Sequence, residues 1–220
     1  MKKALLSAVF LLASLSAQAE VVTVGQHNTA NCYPFSCFAS QSGTVFQQVY
    51  SSTKFSGAGT INSLSFFRDY SGMMDSATYT LRLSTTTQNL GFLDLGTPSN
   101  NLGADVSTFG TFTIGGQMPE VLTFAGMPFH YNPAEGNLLL EVLVSNLIQG
   151  HGQSSYFQAD STMNAMSRLW VHGNPSQGGN GLVTAFDITP GGTVPEPGSM
   201  LLVGLGLAGL AASARKRKAA

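Results

Sequence analysis

The sequence predicts an all-β protein: an antiparallel β-sandwich, with the jelly roll as one candidate topology, between a signal peptide and a C-terminal transmembrane helix. The first observation is a two-residue period. Within 78–84, Tyr79, Leu81 and Leu83 alternate with polar residues, as in a half-buried strand. The second is the frequent glycine and proline between short apolar runs, which is typical of turns. The third is that residues 20–194 never keep the helical apolar period for three turns, which disfavours a helical bundle or a βαβ array.

The N-terminal segment has the order of a secretory signal peptide, predicted over residues 1–19. A basic start at Lys2 and Lys3 is followed by an apolar stretch over 4–15 and then by small residues. Ala17 and Ala19 form an A-x-A pattern, so we expect cleavage after Ala19. The alternative, an uncleaved anchor, is disfavoured because about a dozen apolar residues are too few to span a bilayer comfortably.

Residues 20–189 are predicted to form one ectodomain, which a short linker over 190–194 joins to the rest of the chain. Four basic and ten acidic residues between 20 and 194 give this span a formal net charge of −6, although the whole chain carries only −1. An acidic domain without a basic patch lacks the electrostatic footprint of nucleic-acid binding. We therefore expect no nucleic-acid partner.

The two cysteines, Cys32 and Cys37, are close in sequence and have a proline between them. In an oxidising compartment such a pair favours a local disulfide. The rival interpretation is a redox-active pair, but the spacing is not the C-x-x-C of thioredoxin-like proteins. The loop is small, so we expect a modest stabilisation, near the low end of about 2 to 4 kcal/mol.

Alternation and turn signals together predict nine strands. The most hydrophobic, Asn137–Ser145, has apolar residues on both faces, which indicates a central strand. The turn before it, over 131–137, contains Pro133 and Gly136. The nine segments are 45–55, 60–67, 78–84, 109–114, 121–124, 137–145, 154–158, 168–172 and 182–188.

Residues that could carry chemistry are sparse. There is no G-x-S-x-G motif, and the histidines His27, His130, His151 and His172 lack metal-binding spacing. There is also no D-x-[DN]-x-[DN]-G calcium loop, although irregular loop contacts to calcium stay open. The sequence therefore predicts no catalytic residue, no cofactor and no metal ligand.

Glu135 and Glu141 are candidates for a glycosidase pair, since that reaction needs two carboxylates facing one sugar. Glu135 falls in the predicted turn and Glu141 on the outer face of the central strand. We therefore expect a solvated or sheet-edge carboxylate rather than a catalytic pair.

Trp170, the only tryptophan, has two interpretations. It could stack on a sugar beside Tyr156 or Phe157, because flat aromatic faces suit apolar sugar faces. Core packing is favoured, since a lone tryptophan is usually highly buried.

The C-terminal segment, residues 195–220, has three parts in a fixed order. Pro195, Glu196 and Pro197 favour an extended, accessible backbone. The uncharged run 198–214 has 17 residues, or roughly 26 Å as a helix, which is at the short limit for crossing a bilayer. A positive-inside tail follows, made of Arg215, Lys216, Arg217 and Lys218. The ectodomain is thus predicted outside and the tail inside.

These residues, VPEPG, then LLVGLGLAGLAA, then RKRK, closely resemble the PEP-CTERM sorting signal of Gram-negative bacteria. The resemblance covers residues 194–220 and implies recognition by an exosortase, an integral-membrane transpeptidase. It also implies association with exopolysaccharide and biofilm. Upstream, 46–50 and 132–140 look like the β-sandwich ectodomains found before such tails, which have no assigned activity.

Together these features predict a non-enzymatic exported protein that passes through the general secretion machinery. We expect a precursor tethered in the inner membrane and then a product on the cell surface or in the extracellular matrix, associated with exopolysaccharide or biofilm. One alternative is a secreted carbohydrate-active hydrolase. The other is an envelope protein that stays anchored because its tail is not processed.

Overall fold

Two antiparallel β-sheets pack face to face in the computed structural model, which describes residues 19–37, 43–148, 153–171 and 175–191. The strands of the described residues are β1 Glu20–Val24, β2 Thr29–Asn31, β3 Val45–Tyr50, β4 Gly59–Tyr70, β5 Met73–Thr86, β6 Ser107–Gln117, β7 Val121–Tyr131, β8 Asn137–Ile148, β9 Tyr156–Asp160, β10 Met166–Val171, β11 Ser176–Gly178, β12 Gly181–Leu182 and β13 Thr184–Pro190. The first sheet runs β1-β13-β4-β9-β12, with β2 also paired to β9 and β7 to β4. The second runs β11-β10-β3-β8-β5-β6.

The core lies between the sheets and is built by alternation. On β5, Tyr79, Leu81 and Leu83 are fully buried in it, as the two-residue period predicts. Inward residues of β8 join the same cluster, among them Leu138 and Leu140. The predicted all-β antiparallel sandwich is therefore confirmed, and the jelly-roll topology stays a prediction.

A second, smaller apolar cluster lies on the outer face of the second sheet. Residues 87–106, here called the covering loop, place Leu93 against Leu139, Val49 and Leu169. The central strand β8 is thus buried on both faces, which explains why its sequence is hydrophobic at nearly every position.

All nine predicted segments contain strand residues, but β1, β2 and β11 were not predicted, and the segment 182–188 contains parts of both β12 and β13. Other differences concern strand ends. The segment 45–55 was predicted too long, because β3 ends at Tyr50 and a short 3-10 helix follows over Ser52–Lys54. Ser51 caps that helix by accepting a hydrogen bond from the Thr53 backbone N–H. Strand β13 includes Pro190, which the sequence placed in the linker.

The predicted terminal segments fall outside the described residues. These are the signal peptide up to residue 18 and the transmembrane helix 198–214. Within the part of the chain that the structure describes, no helix has the length and apolar character needed to cross a membrane.

Candidate functional site

The end of the described chain sets an upper limit on the distance between the sandwich and Pro195. The Gly191 N–H donates a hydrogen bond to the Ala58 carbonyl oxygen at 2.8 Å. Only residues 192–194 separate Gly191 from Pro195. Fully extended, this connection spans at most about 14 Å. Pro195, Glu196, Pro197 and the basic tail, Arg215 to Lys218, lie outside the described residues, as does Ala17.

The two ends of the ectodomain meet at one end of the first sheet. Strand β1 pairs with β13, so that Glu20 lies opposite Ile188. Glu20 and Pro190 also line one shallow cleft together with Phe55 and Ala58. The predicted signal cleavage point, after Ala19, therefore lies beside the exit of the chain toward the sorting segment.

The predicted disulfide between Cys32 and Cys37 is present, with Cα atoms 5.7 Å apart. Its loop directs Phe35 into the core, where the ring is fully buried. That ring lies 5.1 to 5.6 Å, between centroids, from four other aromatic rings, those of Phe66, Tyr79, Phe124 and Phe157. The loop is therefore a core element as well as a covalent link.

Glu141 corrects the expectation of a solvated or sheet-edge carboxylate, because it is only 2% exposed under the covering loop. Arg82 donates to its Oε2, with Nε at 2.6 Å, and forms an ion pair with it. Gln47 Nε2 donates to its Oε1 at 2.9 Å, and Asn101 Nδ2 donates to Gln47 Oε1 at 2.8 Å. The sequence around Glu141 is hydrophobic and does not indicate this network, because the four members come from four separate segments of the chain.

Glu135 lies in an exposed turn, as expected, and accepts a hydrogen bond from Asn132 Nδ2 at 2.8 Å. Glu135 Oε1 accepts its hydrogen bond within the turn, whereas Glu141 accepts hydrogen bonds from Arg82. The two carboxylates therefore have separate, local partners.

The histidines that the structure describes are His27 and His130. His27 Nε2 lies 3.0 Å from Asp69 Oδ1 at the surface, and His130 is exposed on β7. His151 and His172 fall outside the described residues. Among the described side chains, no group of three or more His, Cys, Asp or Glu is placed to hold a metal ion.

S-x-x-K spacing occurs twice in the chain, at Ser51/Lys54 and Ser213/Lys216. In the first pair, the Ser51 hydroxyl is the helix cap and lies 2.8 Å from the Thr53 hydroxyl. That local use is a structural role. Ser213 and Lys216 lie beyond the described ranges.

Trp170 packs in the core, as favoured from the sequence, and is 7% exposed. Its ring stacks on that of Tyr33, with centroids 4.4 Å apart. Tyr156 instead pairs with Tyr70 at the surface, with centroids 6.1 Å apart. Trp170 and Tyr156 thus have different aromatic partners and do not form one sugar-stacking surface.

Sequence reasoning missed Arg168, which shares an inward face of β10 with Trp170. Its guanidinium carbon lies 5.9 Å from the centre of the Tyr33 ring. Burial lowers the pKa of its guanidinium from the usual value. The available signal was the two-residue period of β10, which places Arg168 on the same side as Trp170 and Met166.

Comparison with known proteins identifies one segment of the chain. Residues 193–218 match the family model of the PEP-CTERM protein-sorting motif. No curated protein and no solved structure gave a significant match. The chain therefore carries the PEP-CTERM protein-sorting motif, which implies an exported protein that is transiently anchored in a membrane and processed by an exosortase.

Proposed function

We propose that this chain is a non-enzymatic matrix protein of a Gram-negative cell surface, whose sandwich associates with exopolysaccharide or biofilm after an exosortase has removed the tail. The observation that carries the proposal is the sorting motif at 193–218. Only residues 192–194 join its Pro195 to Gly191, the last hydrogen-bonded residue of the sandwich, and this connection spans at most about 14 Å. A signal peptide over 1–19 and a membrane-spanning helix over 198–214 complete the proposed precursor.

The contacts of Glu135 and Glu141, the two acidic residues considered as a glycosidase pair, support a non-enzymatic role. Retaining and inverting glycosidases need two carboxylates about 5 to 10 Å apart across a sugar. Glu141 is instead buried under the covering loop and neutralised by Arg82. Glu135 accepts a hydrogen bond from Asn132 within a turn at the surface.

Processing is tested by the mass of the mature protein from cells that contain an exosortase. We expect the product to begin at Glu20 and to lack Arg215 to Lys218. Replacing Pro195, Glu196 and Pro197 together with alanine should leave the tail in place, whereas Glu135→Ala should be processed normally. Retention of the basic tail in the unaltered protein would instead support the permanently anchored alternative.

Matrix association is tested separately, with the mature protein and exopolysaccharide purified from the same cells. We expect co-sedimentation that free bovine albumin does not show, and no release of reducing ends. Release of reducing ends by the mature protein would overturn the non-enzymatic proposal and favour the hydrolase.

A further inference from the structure

Arg168 is a half-buried cation without an acidic partner among the described residues. The other two arginines there form ion pairs, Arg68 with Glu120 and Arg82 with Glu141. Arg168 has no such contact, and its Nε is buried with no hydrogen-bond acceptor in the described part of the chain. Leaving a buried donor of a charged group unpaired costs free energy, because the group loses its hydrogen bond to water without gaining another. The folded protein nevertheless retains this unpaired donor.

Aromatic rings hold the guanidinium in place. Tyr33 lies beneath it at 5.9 Å and is itself stacked on Trp170. A guanidinium over an aromatic face is attracted by the ring quadrupole, which fixes its position without neutralising its charge. Because arginine stays protonated in proteins, Arg168 is a fixed, unneutralised positive charge.

Open space lies on the neighbouring strand, on the face of the sheet that carries Arg168. In the pairing of β10 with β11, Arg168 is opposite Gly178, so the two residues share one face. No atom of the described residues lies within 4 Å of the position that a Cβ on Gly178 would take. Position 178 therefore leaves room for a ligand group on the face that carries Arg168.

We infer that Arg168 and the space above Gly178 form a binding site for the carboxylate of an acidic sugar unit. This inference rests on the proposed association with exopolysaccharide and names the chemical class of the glycan. A carboxylate matches the two-pronged donor geometry of a guanidinium. The net charge of −6 over 20–194 disfavours a multiply charged anion such as phosphate, because a single arginine neutralises only one charge.

The first test titrates the mature, processed protein with galacturonate, and with galactose, acetate and inorganic phosphate as comparisons, followed by NMR. We expect shifts at Arg168 and Gly178 with galacturonate, and at least tenfold weaker binding of the other three. Arg168→Gln should weaken galacturonate binding at least tenfold, while Lys54→Gln, which removes an exposed cation, should leave it unchanged. Equal binding of acetate or phosphate, or unchanged binding by Arg168→Gln, would overturn the inference.

A second pair of variants does not depend on Arg168→Gln folding. Gly178→Glu should supply an internal carboxylate to Arg168, raise the thermal midpoint and reduce galacturonate binding at least tenfold. Gly178→Ser, which adds no charge, should bind within about threefold of the unaltered protein. Undiminished binding by a folded Gly178→Glu variant would also overturn the inference.

These tests are separable from the proposed function. If the mature protein co-sediments with the native exopolysaccharide but does not bind galacturonate, the carboxylate site is wrong and matrix association stands. If galacturonate binds at Arg168 but the exopolysaccharide does not co-sediment, the site stands as a carboxylate site and the proposed function fails.

Discussion

At the scale of single residues, the ion pair of Arg82 and Glu141 shows how the covering loop changes the environment of a strand. Glu141 faces away from the main core, which in an open sandwich would place it in water. Residues 87–106 cover that face, so the carboxylate is 2% exposed and needs its charged partner. Breaking a buried pair leaves an uncompensated charge, which is costly.

We predict that Glu141→Gln destabilises the protein by about 3 kcal/mol, because Arg82 loses its counter-ion in a partly buried place. The measurement is the free energy of unfolding in urea. Glu120→Gln is the matched control, since Glu120 forms the same type of pair with Arg68 but is largely exposed. That change should cost less than about 1 kcal/mol. Equal losses for the two variants would contradict the prediction.

Asp160 joins the chain after β1 to the end of β9. It accepts hydrogen bonds from the Gln26 backbone N–H at 2.9 Å, from Asn28 Nδ2 at 3.2 Å and from the Thr162 backbone N–H at 2.8 Å. Desolvation alone would raise the pKa of this carboxyl, but the hydrogen bonds, led by those from Thr162, outweigh it and lower the pKa. The ionised form is therefore favoured by folding.

A carboxyl with a lowered pKa in the folded state stabilises the protein above its unfolded pKa of about 3.9, and this stability is lost as the pH falls through the folded value. We predict that Asp160→Ala costs about 2 kcal/mol at pH 7 and that the difference from the unaltered protein shrinks below pH 4. Urea unfolding from pH 7 to pH 2.5 measures it. Glu135→Ala, at an exposed turn, should show a small difference at every pH. A loss for Asp160→Ala that stayed constant with pH would contradict the assignment.

At the scale of elements, the sequence predicted strands well where alternation is strong, and poorly where pairing alone makes the strand. Strand β5 was expected over 78–84 and extends over Met73–Thr86, because β6 and β8 pair with it along its length. Strand β11, Ser176–Gly178, has weak intrinsic strand preference and forms by pairing with β10. The burial of Glu141 and of Arg168 was not predicted for the same reason, since it is determined by tertiary neighbours.

The disulfide was expected to give a modest stabilisation, and the aromatic ring at the centre of its loop adds a packing contribution. Phe35 touches the aromatic centre of the core, so Phe35→Ala should remove about 3 to 5 kcal/mol. Replacing Cys32 and Cys37 together with serine should cost less, near 2 kcal/mol, because the closed loop is short. Urea unfolding compares the two variants.

Phe92→Ala is the control for removing a phenylalanine, since Phe92 is 76% exposed on the covering loop. It should change the free energy of unfolding by less than about 0.5 kcal/mol. If the cysteine double variant proved costlier than Phe35→Ala, the covalent link rather than the buried ring would dominate this loop.

At the scale of the whole molecule, the last strand completes the first sheet. Strand β13 lies between β1 and β4 and pairs with both. Its residues Phe186 and Ile188 are buried in the main core. The first strand after the predicted signal cleavage therefore has no partner in this sheet until residues 184–190 are available. The sorting motif follows β13 after a few residues, so completion of the fold and exposure of the motif are close in sequence.

We therefore predict that the mature protein ending at Gly191 folds cooperatively, whereas one ending at Val183 does not. The shorter form lacks β13, which leaves the inner edge of β1 unpaired, exposes one edge of β4 and removes two buried side chains from the core. Circular dichroism and urea unfolding compare the two forms, and limited proteolysis should cleave the shorter one within β1 or β4. The form ending at Gly191 controls for loss of the sorting segment. A cooperative transition of equal midpoint for the form ending at Val183 would show instead that β13 is dispensable for folding.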